Sequence, residues 1–179
     1  LLYRAYDKTI FYTENSYFAA LEAKIISKEK ASWANNTLDS NEIKKYYSFI
    51  LPTGNNPTIL FISRLIPSKK IPLLFKYYKK IQKKILKFNI QLRLEIVGDG
   101  PLNEYIKKHS YNNPNIKYHG ALNNEKELSK IFQRASFIFV PGHSGLSINH
   151  AFLYGRPYVT IKAKTHPPEI NYIVPGENG

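Results

Sequence analysis

Three turns in this chain combine residue types that could hold an anion. The first lies in the stretch from Ser136 to Ile161, SFIFVPGHSGLSINHAFLYGRPYVTI. An apolar run at 137–140 closes at Pro141 and Gly142 and reads as a buried strand. Gly142, His143, Ser144 and Gly145 then form a small polar turn, and an apolar-periodic segment from 146 to 154 stops at Gly155. Ser144 and Gly145 stand where a helix cap belongs. A strand feeding such a turn into a helix start leaves backbone N–H groups and a positive dipole end free for a phosphate. The second turn, FISRLIPSKK, places Arg64 directly after an apolar run, with Lys69 and Lys70 five and six residues on. A diphosphate suits that set, because the guanidinium fork and an ammonium point charge can share its oxygens. The third, IVGDGP at 96–101, begins like G-x-G-x-x-G but holds Asn103 where the third glycine belongs. Gly98 and Gly100 are therefore expected to shape a turn, with Pro101 in the first turn of the next helix.

Apolar runs alternating with helical periodicity position these turns. Strands are expected at 59–63, 93–97, 116–119, 137–140 and 158–161, and helices at 72–88, 101–109, 125–134 and 146–154. Near-continuous apolar strands separated by helices predict an α/β domain, a Rossmann-like parallel sheet with helices on both faces. In such sheets ligands sit at the carboxyl ends of the strands, where all of these turns fall. Residues 1–57 read differently: a strand at 8–13, a helix at 16–26, a short strand near 31–34, then a polar connector through Asn35, Asn36, Thr37, Leu38 and Asp39. That connector ends at Pro52-Thr53-Gly54-Asn55-Asn56-Pro57, a plausible boundary. The expected organisation is a linker and the end of a preceding domain at 1–57, and a nucleotide-binding domain, cut short at its end, at 58–179.

Composition bounds the partners. The chain lacks Met and stops at Gly179 without a closing helix, so it reads as a piece of a longer protein. It has no Cys, which removes disulfides and thiolate metal sites and fits a cytoplasmic location. No apolar run approaches the ~20 residues a membrane-spanning helix needs. The net charge is +13, and 21 of the 26 cationic residues are Lys. Many cluster in IPLLFKYYKKIQKKILKF, where Leu74, Tyr77, Tyr78, Ile81, Ile85 and Phe88 form one helical stripe. Lys76, Lys79, Lys80, Lys83, Lys84 and Lys87 lie mostly opposite. Two readings stay open there: a solvated face, or peripheral contact with an anionic membrane, on its inner face if cytoplasmic. Nucleic acid is not expected, since no helix-turn-helix, zinc finger or aromatic-basic sheet accompanies the charge. Three Asp, no Asp-x-Asp pair and no ligand spacing around the His residues argue against a metal-held diphosphate. No Ser-His-Asp or Cys-His set points to a hydrolase.

The strings ISRLIPSKK, IVGDGP, IKYHGAL, KIFQRASFIFVPGHSGL, HAFLYGRPYVT and PPEINYIVPGENG follow one another from about residue 58 to 179. Together they resemble the C-terminal, donor-binding half of glycosyltransferase family 4, retaining nucleotide-sugar enzymes of GT-B fold. RAYDKTIFYTEN and ASWANNTLD resemble the end of the acceptor domain and the crossover.

The resemblance implies one half of a two-domain enzyme that moves a sugar from a nucleotide diphosphate sugar to a glycan or lipid-linked acceptor, with no cofactor and no metal. It places Arg64 and Lys69 on the diphosphate as catalytic cations. Ser144, Gly145 and Leu146 would offer backbone amides to the phosphates. Gly120, Ala121 and Leu122, after His119, would border the base, and Glu169 would lie near the sugar. The family's paired glutamates are absent: the first position holds Gly142 and the second His150. His150 is expected either to meet a ribose hydroxyl or to be a packed core histidine, and His143 to stand in for the first carboxylate or to be a plain loop residue. Thr165 and His166 replace the family's glycine pair, and Lys70 stands where the family has Gly. A non-catalytic nucleotide-binding module on the same scaffold is the alternative, and an NAD oxidoreductase is disfavoured by the failed glycine pattern.

Overall fold

Thr58 to Ile62 is apolar on both alternations, as a strand covered on both faces must be. In the computed structural model of the protein it is the middle strand of the main sheet, with Ile59, Leu60 and Phe61 fully buried. The described residues are 5–50, 52, 54–163 and 165–179, so Arg4 of the RAYDKTIFYTEN string and Thr53 of the expected linker fall outside them. The main sheet consists of β3 (Thr58–Ile62), β4 (Arg93–Val97), β5 (Ile116–Tyr118), β6 (Phe137–Phe139) and β7 (Tyr158–Val159). Their order is β5-β4-β3-β6-β7 and every pairing is parallel. The expected α/β parallel sheet is what forms.

Helix α3 (Ile71–Ile85) and helix α4 (Asn103–Ser110) share one face, where the Phe75 ring meets Tyr105 edge-on at 5.8 Å. Helix α5 (Glu125–Arg134) and helix α6 (Ser147–Leu153) share the other, with Phe132 stacked on Tyr154 at 4.3 Å. Each fully buried Leu, Ile or Phe of this two-sided core contributes about 1.5–3 kcal/mol. Ahead of it, β1 (Thr9–Phe11) and β2 (Ala31–Trp33) pair in parallel around helix α1 (Glu14–Glu22), followed by α2 (Ser40–Lys44). Side chains tie this segment to the main domain: Arg156 donates to the Ile50 carbonyl at 2.6 Å and Tyr172 to that of Tyr12 at 3.1 Å.

Several boundaries differ from expectation for local reasons. Thr13, read as strand, caps α1 by accepting from the Ser16 amide, and α1 ends before Lys24, whose φ is +52°. Pro101 lies in a turn ahead of α4 rather than inside it, because the Leu65 carbonyl takes the Leu102 amide. Helix α3 stops at Ile85, and a 3-10 turn at Leu86–Phe88 leaves Phe88 65% exposed. Phe88 therefore leaves the apolar stripe.

Candidate functional site

The middle strand β3 and its neighbour β6 send their helices to opposite faces of the sheet. A crevice opens beyond their carboxyl ends, the switch point where α/β sheets receive ligands. Arg64 follows β3. Its side chain is exposed and makes no hydrogen bond or ion pair among the described residues. Lys69 ends a 3-10 turn, Pro67–Lys69, and is buried, unusual for an ammonium. Burial depresses its pKa, the nearby Arg64 charge depresses it further, and Glu169 opposes both. Two like charges are thus held close, one of them desolvated. Lys70, next in line, adopts a left-handed backbone with φ +52°, a conformation glycine takes most readily.

Lys69 also organises the second turn. Its Nζ donates to the carbonyls of His143 (2.6 Å) and Ser144 (3.0 Å), using two of its three donors. The His143 amide donates to Ser68 at 3.0 Å, so the 67–70 and 141–144 segments are knit together. The amides of Ser144, Gly145 and Leu146 have no backbone or side-chain acceptor among the described residues. The expected cap is corrected here. Leu146 holds the cap position of α6 without a side-chain hydrogen bond, and the Ser144 hydroxyl is buried without a partner among the described residues. Gly145, with φ +75°, turns the chain into the helix instead. The His143 ring makes no hydrogen bond among the described residues.

A cleft of about 330 Å³ lies beside this pair of loops, lined in part by Arg64, Gly98, Asp99, Ala121, Leu122 and His150. Gly98 is a close-approach position: an added Cβ would fall 1.9 Å from the Ser63 carbonyl oxygen, at φ +145°. Its amide donates to Gly120 at 2.8 Å, which fixes the 119–122 loop. The expected residues thus form two groups. Arg64, Ala121, Leu122 and His150 line the cleft, whereas Gly120 supports it, and Lys69, His143, Ser144, Gly145, Leu146 and Glu169 do not line it. His150 resolves into both of its expected readings. Its ring packs on Phe132 at 4.7 Å and its Nε2 meets Glu125 Oε1 at 3.2 Å, yet it borders the cleft. The same Glu125 oxygen accepts from the Tyr154 hydroxyl at 2.5 Å. With Nε2 donating to the carboxylate, Nδ1 of a neutral ring remains an acceptor.

Behind the 119–122 loop lies a cluster that the sequence motifs do not include. Glu95 on β4 takes two hydrogen bonds from Arg134, at 3.0 and 2.9 Å, and contacts His119 Nε2 at 2.8 Å. Burial raises the Glu95 pKa, but the hydrogen bonds from His119 and Arg134 outweigh it and bring it down to about 2. A carboxylate with a depressed folded pKa contributes stability above its unfolded value, and that stability is lost as pH falls toward 2. Because Arg134 is half exposed, the contribution is discounted to about 2 kcal/mol. Glu95→Gln is expected to lower stability by that amount at neutral pH and to flatten the acid limb of a pH–denaturation series. An unchanged acid limb would count against the cluster.

Glu169, in the 3-10 turn Pro168–Tyr172, is only 6% exposed. Its Oε1 accepts from Asn36 Nδ2 at 3.0 Å, while Oε2 is buried without a partner among the described residues. Asn36, from the segment before α2, also gives its carbonyl to Asn149 of α6 at 2.6 Å. His166 braces its own loop, its Nε2 donating to the Ile161 carbonyl at 2.7 Å. Among the described residues no group of three or more His, Asp or Glu could hold a metal ion. No helix among them is long and apolar enough to cross a membrane.

Comparison with solved structures gives the same fold at low identity. The Staphylococcus aureus TarM, solved with fondaparinux, alpha-GlcNAc-glycerol and UDP, is 19% identical with a TM-score of 0.71, covering 98% of this chain and 34% of its own. The pneumococcal O-GlcNAc transferase GtfA, solved with UDP and GlcNAc, is 17% identical with a TM-score of 0.68, covering 97% and 33%. An Escherichia coli trehalose-6-phosphate structure bound with UDP-2-fluoro glucose is 18% identical with a TM-score of 0.61, covering 87% and 46%. The chain thus spans a third to just under a half of these proteins. No curated protein sequence matches it. The family model described as glycosyl transferases group 1 matches residues 56–179, well over half of the chain. The chain belongs to the group 1 glycosyl transferases.

Proposed function

We propose that residues 58–179 bind the donor in a retaining glycosyltransferase, and that residues 1–57 are the end of an acceptor domain with its crossover. The observation that carries this reading is the cationic pair at the switch point, Arg64 beside buried Lys69, next to backbone amides. The Arg64 side chain has no partner and the amides no acceptor among the described residues. A nucleotide diphosphate sugar supplies the missing anion. As the acceptor oxygen bonds to the anomeric carbon, the bond to the diphosphate oxygen breaks with its electron pair, and the hydroxyl proton passes to solvent or to the released phosphate. Charge grows on the diphosphate during that step, and preorganised cations stabilise it more in the transition state than in the ground state. Arg64 and Lys69 take the role a metal ion would otherwise fill. Ala121 and Leu122 border the base, and His150 offers Nδ1 to a ribose hydroxyl. Glu169, with one oxygen unpartnered, is assigned to the sugar. Support for the donor class comes from TarM and GtfA, both solved with UDP. Support for retention comes from a trehalose-6-phosphate synthase studied for glycosyl transfer with retention. The acceptor is a glycan or a lipid-linked acceptor, and the working compartment is the cytoplasm.

One observation favours the second reading, a nucleotide-binding module without catalysis: position 142 has no carboxylate. Calorimetric titration separates both readings from a dinucleotide enzyme, with heat expected for nucleoside diphosphates and none for NAD. A labelled-sugar transfer assay then separates the two. The 179-residue chain alone is expected to bind donor without transferring, since catalysis needs acceptor and donor aligned in a closed, water-poor site. Transfer by this chain at an ordinary enzymatic rate would refute the assignment of the acceptor site to another domain.

A further inference from the structure

From Ile71 to Leu94 the sequence contains no Asp or Glu. Lys76, Lys79, Lys80, Lys83, Lys84 and Lys87 are all exposed, and none forms an ion pair among the described residues. Lysines of a merely solvated face usually alternate with carboxylates, as Lys107 with Glu104 (2.8 Å) and Lys130 with Glu127 (2.9 Å) do here. The row leads to apolar side chains that the core does not take up. Leu86 is 57% exposed and Phe88 65%, with the Lys87 ammonium over the Phe88 ring at 4.9 Å. Helix α4 ends at the same edge of the sheet, on the same face, and is followed by Tyr111, 87% exposed.

We infer that this edge docks on an anionic phospholipid surface, with Lys83, Lys84 and Lys87 at the headgroups and Leu86 and Phe88 entering the acyl boundary. Lysine attraction and shallow apolar insertion are the two components of reversible interfacial binding. The protruding side chains decide against nucleic acid, which is bound in a groove lined with stacking aromatics and arginine forks. The row on α3 carries no arginine. Geometry makes the proposal compatible with donor binding. Helix α3 begins just after Lys69 and runs about 22 Å at 1.5 Å per residue, so the docking edge lies at the opposite end of the sheet from the cleft.

Co-sedimentation of the full chain with phosphatidylcholine vesicles, and with phosphatidylcholine–phosphatidylglycerol vesicles, tests this. Binding only to the anionic vesicles is expected, weakening steeply with salt. The charge variant Lys83→Glu/Lys84→Glu/Lys87→Glu and the insertion variant Leu86→Ser/Phe88→Ser should each lose at least about tenfold. Nucleoside diphosphate affinity should stay unchanged in both, which shows that they fold. Equal recovery with the two vesicle types would overturn the inference, as would wild-type vesicle binding by either variant. So would tight binding of a single-stranded oligonucleotide that displaces vesicles and survives Leu86→Ser/Phe88→Ser.

Discussion

Arg64→Ala and Lys69→Ala each weaken nucleoside diphosphate binding, by about 1.5–3 kcal/mol for one charge-assisted contact. On a titration that is roughly a tenfold to hundredfold rise in Kd. The two variants are expected to differ in a second measurement. The Arg64 side chain has no hydrogen bond or ion pair among the described residues, so its removal leaves thermal stability near wild type. Lys69 is bonded to His143 and Ser144, so its loss strands the His143 carbonyl, leaves that of Ser144 with the Ser147 hydroxyl alone, and lowers Tm as well. pH adds a third. In the free protein the Lys69 pKa is depressed by burial and by Arg64. A bound diphosphate favours the ammonium and raises that pKa, so binding is linked to proton uptake. Affinity is therefore expected to fall as pH rises into the alkaline range, and Arg64→Ala, which removes one depressing charge, moves that fall to higher pH. Equal affinity of both variants and wild type across this range would remove the diphosphate from the site.

The parts of this arrangement legible in the sequence are those fixed by local physics. Strand β4 and helix α5 have the expected bounds, Arg93–Val97 and Glu125–Arg134, because a five-residue apolar-rich run and an Asn124 cap are short-range signals. Helix α2 stayed hidden because it is five residues long and buries only Ile43. Phe88 was misplaced because helical periodicity says nothing about where a helix unwinds. The side-chain partners were out of reach for a different reason. Glu95 meets residues 24 and 39 positions away, Glu125 meets His150 across 25, and Asn36 meets Glu169 across 133. Only the fold brings such pairs together. A charged residue inside an apolar strand, as Glu95 is within RLEIV, was the one available signal, since a carboxylate buried there requires a partner. Glu125, Asn36 and Asn149 carried no comparable mark.

Gly142→Glu, which restores the family's first glutamate, is expected to damage this protein rather than improve it. An ideal Cβ at position 142 would sit 2.1 Å from the Ser68 carbonyl oxygen and 2.5 Å from the Lys69 carbonyl carbon. Both are backbone atoms, so no rotamer change relieves the clash. The 67–70 and 141–144 segments would have to separate. That would stretch the His143–Ser68 hydrogen bond and pull Lys69 from the two carbonyls that hold it. Overpacking of this kind costs about 1–3 kcal/mol, which is about 2–4 °C per kcal/mol in Tm for a domain of this size. Nucleoside diphosphate affinity should fall with it, because the same movement displaces the ammonium. Gly142→Ala carries the identical Cβ without the carboxylate and should show nearly the same loss. Gly145→Ala is the control, since nothing lies within 4 Å of its added Cβ and only its φ of +75° is disfavoured. It should lose about 1 kcal/mol and keep the Lys69 contacts. Thermal melts and diphosphate titrations on the three variants test the argument. A Gly142→Glu protein as stable as wild type, with equal or tighter donor binding, would show that the loop has room for the carboxylate.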